Sequence, residues 1–126
     1  MTLRQLMVFA LLLTCAALAH AIEFQPCSAA ALAAAQKADK PVALQFHADW
    51  FLTCRAQDKV LQALKAEPGL DVAVLKVNYD NEKDLKKQYK VQTQATMVIL
   101  RGDKERGRLV GDTTEAGIRA ALRSAL

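Results

Sequence analysis

Only three cysteines occur among the 126 residues, Cys15, Cys27 and Cys54, and no two are close in sequence. The histidines number two, one of them His47. A tetrahedral metal site wants four ligands at short paired spacings. Cys27, Cys54 and His47 are too few and too scattered for that, so neither a metal nor any other cofactor is expected. Aromatic residues make up 6% of the chain, and its Lys and Arg lie scattered among acids despite a formal charge of +4. A nucleic-acid surface gathers basic residues on one face with base-reading groups between them. Nucleic acid is therefore excluded as a partner, and solvated surface explains the charge. With three prolines and five glycines, the chain has no linker, no internal repeat and no low-complexity stretch beyond an alanine-rich run after Ser28. The one long apolar run, Leu6 to Leu18, falls short of the ~20 residues that a membrane-spanning helix needs.

That run reads as part of an export signal over residues 1–21. Arg4 supplies the positive start, Thr14 and Cys15 alone interrupt the apolar stretch, and Ala19-His20-Ala21 has the small-x-small pattern that precedes cleavage. The expectation is an exported, periplasmic protein without stable membrane insertion once the signal is cut. An uncleaved anchor and acylation at Cys15 are the alternatives. Residues 22–126 then form one domain, large enough to bury about 60–70% of its unfolded surface. Cys27 and Cys54 remain, in a compartment where disulfides persist.

Periodicity places the elements. Ile22-Glu23-Phe24 is a short strand, and Ser28 caps a helix running from Ala29 to about Ala38. Lys40-Pro41 ends that helix, because proline disfavours helical geometry in the residue before it. Val42 to His47 suits the buried centre of a sheet. Thr53 to Leu64 is helical, with Ala56, Val60, Leu61, Ala63 and Leu64 on one face. Val72 to Val77 is the next strand, and Glu82 to Tyr89 a short helix. Met97 to Leu100 and Glu105 to Val110 are strands joined through Arg101-Gly102-Asp103-Lys104, with Arg106 and Arg108 guarding an edge. A last helix carries Ile118, Ala121, Leu122 and Ala125. The order βαβαβαββα implies an α/β sheet covered by helices on both sides.

Two segments then become specific. Lys40-Pro41-Val42-Ala43-Leu44-Gln45-Phe46-His47-Ala48-Asp49-Trp50-Phe51-Leu52-Thr53-Cys54 resembles the thioredoxin superfamily's Lys-Pro-Val start, apolar strand, Ala-x-Trp and Cys-x-x-Cys turn. Tyr89 to Thr96 resembles the family's approach to its fourth strand. The likeness covers the chain from Phe24 to the last helix and is nearest to exported bacterial thioredoxin-like domains. It implies a thioredoxin fold, a central mixed sheet with helices on both faces, and kinship with the thiol-disulfide oxidoreductases of cell redox homeostasis. It also implies three departures. Phe51 stands at the nucleophile, Ala95 at the cis-proline of the substrate groove, and Gln45 at the buried acid that handles the second cysteine's proton. Only the second cysteine is retained, as Cys54, and Cys54 is the sole catalytic candidate.

Disulfide exchange begins with an exposed thiolate, normally at a helix N-terminus, and phenylalanine supplies none. The dithiol cycle is therefore expected to be absent. A trans Gln94–Ala95 bond is expected too, because a non-proline cis bond costs about 3–4 kcal/mol. Cys54 is either a buried small hydrophobe or a redox thiol. His47 is either packed beside Trp50 or paired with Cys54. A Cys27–Cys54 disulfide needs Cα atoms within about 7 Å, and in the family the helices bearing these residues lie on opposite sheet faces. Cys27 is thus read as a free thiol or the site of an intermolecular disulfide, which would make a dimer. Lys83, Lys87 and Lys90 form a solvated helix face or meet an acidic partner. Trp50 and Phe51 either pack under the Ala95 loop or form an apolar docking spot. The resulting expectation is a protein or peptide partner in the cell envelope, bound at Trp50, Phe51, Gln94, Ala95 and Thr96. The alternative is a single-cysteine redox protein that forms mixed disulfides through Cys54 or Cys27.

Overall fold

A computed structural model describes residues 21–126. The expected signal lies outside the described residues except for Ala21. Its cleavage, and lipid attachment at Cys15, therefore stay expectations. Among the described residues no helix is long and apolar enough to cross a membrane.

The chain runs β1 (Glu23–Pro26), α1 (Ala29–Lys37), β2 (Pro41–His47), α2 (Leu52–Leu64), β3 (Ala73–Asn78), α3 (Lys83–Gln88), β4 (Thr96–Arg101), β5 (Lys104–Val110) and α4 (Glu115–Arg123). The strands form one mixed sheet in the order β1-β3-β2-β4-β5. β1, β3 and β2 are parallel, while β4 and β5 are antiparallel to their neighbours. The expected βαβαβαββα order is present throughout. The first strand begins one residue later and ends two residues later than its apolar residues suggest, since its backbone pairs with β3 as far as Pro26↔Lys76.

Every residue of β2 is buried. Side chains alternate across a strand, so Val42, Leu44 and Phe46 join one apolar cluster and Ala43 the other. The first cluster also contains Leu75, Val77, Val98 and Leu100, with Leu32 of α1 and Leu85 of α3 packed against it. The second takes Leu61 and Leu64 from α2 and Ile118 and Leu122 from α4. By the same alternation Gln45 and His47 point toward α2, where an all-apolar environment would leave their polar atoms without partners.

The α2 stripe differs from its expected phase. Cys54, Gln57, Leu61 and Leu64 are the buried residues, whereas Ala63 is exposed. The polar Gln57 takes an inward position because its amide finds backbone acceptors on two loops. α1 is capped as expected, with the Ser28 hydroxyl accepting from the Ala31 amide at 3.0 Å.

Candidate functional site

β2 delivers the chain to a tight turn in which the Phe51 amide donates to the Ala48 carbonyl at 3.1 Å. Phe51 is the N-cap of α2 and offers no side-chain acceptor to the first-turn amides. Its ring meets Trp50 edge-on, with centroids 5.7 Å apart. Trp50 is 63% exposed and Leu52 is 73% exposed, two large apolar side chains left in solvent within three residues. The indole is not loose: Trp50 Nε1 donates to Asp80 Oδ2 at 2.9 Å. Asp80 is held in turn by an Asn78 side chain that accepts from the amides of Asp80 and Asn81.

One helical turn in, Cys54 is fully buried. Burial pushes its thiol up, with hydrogen bonding to the Ala48 and Ala95 backbones opposing that rise. Cys27 is also free and is half-buried. It packs against the α1/α3 cluster, and burial, aided by Glu82, raises its thiol as well. No Cys27–Cys54 disulfide forms.

The Gln94–Ala95–Thr96 segment lies next to this turn. The Gln94–Ala95 bond is trans, as expected, and Ala95 adopts φ 59° in the left-handed region. Its amide donates to Phe46 O at 3.0 Å, and its carbonyl accepts from Gly111 N and from Gln57 Nε2. Ala95 and Thr96 are 0% and 1% exposed, so their side chains offer nothing to a partner. Within the expected binding face these two residues shape the loop from beneath, Trp50 is exposed, and Phe51 and Gln94 are partly accessible, with Leu52 exposed beside them in the chain.

His47 is held by carboxylates and lines the same cleft as Trp50. Its ring is buried, with Nε2 2.7 Å from Asp58 Oδ2 and Nδ1 3.3 Å from Asp49 Oδ1. Its hydrogen-bond and ion-pair partners are carboxylates, not the Cys54 thiol. Gln45 Nε2 donates to the other Asp58 oxygen at 2.7 Å, and Lys76 Nζ lies 3.7 Å from Oδ2. Asp58 thus satisfies both polar side chains that β2 sends toward α2. These residues, with Asp49, Trp50 and Asp80, line a cleft of about 630 Å³ between α2 and the β1/β3 side of the sheet. Asp58, Gln57, Lys76 and Asp80 went unnoticed in the sequence. The available signal was Gln45 and His47 two apart on an otherwise apolar strand, which calls for a buried polar partner. Among the described residues no group of three or more His, Cys, Asp or Glu could hold a metal.

The family model described as Thioredoxin matches residues 28–124. The chain is 32% identical over 94 residues to a thioredoxin of Echinococcus granulosus, covering 75% of this chain and 86% of the relative. It is 30% identical over 66 residues to thioredoxin-1 of Drosophila yakuba, covering 52% of this chain and 62% of that protein, less than two thirds of its length. The crystal structure of Trxlp from Edwardsiella tarda EIB202 superposes with a TM-score of 0.74 at 31% identity, over 79% of this chain and 98% of the other.

Proposed function

Because the chain belongs to the thioredoxin family and is thereby related to the thiol-disulfide oxidoreductases, we propose that it is an exported member without dithiol turnover. On this reading it binds a protein or peptide segment in the cell envelope through the Trp50–Leu52 turn. One observation carries the proposal: phenylalanine caps the helix where an attacking cysteine would stand, while Cys54 is sealed. An unreachable thiol with a raised pKa is a poor nucleophile, and with no mixed disulfide formed there is nothing for it to resolve. The exposed apolar pair at the same turn supports docking.

The test is insulin reduction by the purified protein with dithiothreitol as electron source. The wild type is expected to match the uncatalysed rate, and turnover above that rate overturns the proposal. Phe51→Cys restores the Cys-x-x-Cys spacing and is expected to show a rate above wild type.

A single-cysteine redox protein is the second reading, and the partial exposure of Cys27 favours Cys27 over Cys54 for it. Thiol labelling of the folded protein at neutral pH separates the sites. Cys54 is expected to react only after denaturation, and a dimer through Cys27 would appear on a non-reducing gel. Export is tested by the N-terminal mass of the protein recovered from the periplasm, expected to begin at Ile22.

A further inference from the structure

The molecule carries a formal charge of +4, yet the cleft beside Trp50 runs against that sign. Its lining includes three carboxylates, Asp49, Asp58 and Asp80, and one ammonium, Lys76. Lys76 and the buried His47 already face Asp58, and the other ring nitrogen of His47 lies 3.3 Å from Asp49 Oδ1. Asp49 has a side chain 99% exposed, and among the described residues neither it nor Asp80 pairs with a lysine or arginine. Asp80 accepts the indole Nε1–H, and Asp49, the residue before Trp50 in the chain, lines the same cleft. The indole is therefore a fixed platform with negative charge beside it, opening into a cavity of about 630 Å³.

A cation over an indole face gains from the ring quadrupole, and a guanidinium can also make paired hydrogen bonds to carboxylate. Leu52, beyond Trp50, offers apolar contact to a neighbouring side chain of the same ligand. We infer that the Trp50 cleft is a subsite for a basic side chain, and that the docked segment carries an arginine beside an aliphatic residue. This rests on the peptide-docking reading of the Trp50 turn and names the chemistry of its partner. The platform needs little ordering on binding, because the Asn78 and Asp80 hydrogen bonds set the indole beforehand.

Three capped hexapeptides test it, identical except that the residue between two leucines is arginine, its neutral isostere citrulline, or glutamate. Each is titrated into the folded protein and followed by amide correlation spectra, in which Trp50, the only tryptophan, gives a single indole signal. The arginine peptide is expected to shift that signal saturably, with affinity about tenfold above the citrulline peptide and falling with added salt. Asp49→Asn and Asp80→Asn are each expected to weaken the arginine peptide about threefold and to leave the citrulline peptide unchanged. Asparagine at 80 keeps an acceptor for the indole, so the platform survives. Equal binding of the citrulline or glutamate peptide overturns the basic subsite while docking stands. If no peptide moves the Trp50 signal, both the subsite and the docking reading fall.

Discussion

Gln57 and Ala95 show how single residues set the geometry beneath the docking turn. Gln57 is fully buried and its Nε2 donates to the carbonyls of Ala95 and Asp112, both at 3.0 Å, tying α2 to two loops. Its Oε1 has no hydrogen-bond partner among the described residues. Gln57→Glu replaces the shared donor by a carboxylate facing two carbonyls. Urea denaturation at neutral pH is expected to show a loss of about 3 kcal/mol or more. The loss should shrink in acid, where the protonated carboxyl regains one donor. Ala95 holds a left-handed φ at a site with no room to spare. A β-branched side chain is poorly tolerated there, so Ala95→Val is expected to cost at least about 2 kcal/mol in the same measurement.

Between elements, the loop after α2 is fastened to α4 by Arg119. Its guanidinium makes paired hydrogen bonds to Glu67 at 2.9 to 3.1 Å and reaches Glu115 at 2.7 Å. The hydrogen bonds from Arg119 hold the Glu67 carboxyl below its usual range, and the Arg119 guanidinium is raised correspondingly. A carboxyl lowered in the folded state contributes stability above its unfolded pKa and loses it as pH falls through its folded value. Wild type is therefore expected to melt above Glu67→Gln at neutral pH. The gap in Tm should narrow as pH drops below the ordinary glutamate range and close in stronger acid. A gap that stays constant with pH would mean the pair acts by packing alone. High salt should reduce it, because the pair is partly exposed.

Across the whole molecule, protection should follow the order of the sheet. β2 and β3 occupy inner positions, β2 burying every residue and β3 all but Lys76 and Asn78, whereas β1 and β5 are the edges and are largely exposed. Amide exchange is expected to be slowest in Val42–Phe46 and Ala73–Val77 and fastest in Glu23–Pro26. Faster exchange in β2 than in β1 would contradict the two-cluster core. This rigid centre gives the turn after β2 a firm base, while Trp50 and Leu52 stand in solvent.

Much of this protein is settled along the chain itself. The apolar run through β2, the Ser28 cap, the Lys40-Pro41 break and the hairpin residues after β4 fix element order, since each acts over a few residues by steric or hydrogen-bonding rules. Phe51 and Cys54 stand out through the resemblance of their segment to the thioredoxin Cys-x-x-Cys turn. Element ends moved by one or two residues because strand limits depend on which backbone lies alongside, as the pairing of β1 with β3 shows. The site's polar architecture was decided only in three dimensions. Asp58 meets Gln45 and His47 from 11 to 13 positions away, and Asp80 meets Trp50 from 30 away. Desolvation demands that a buried donor find an acceptor, and which one it finds depends on how the layers stack, not on spacing in the chain.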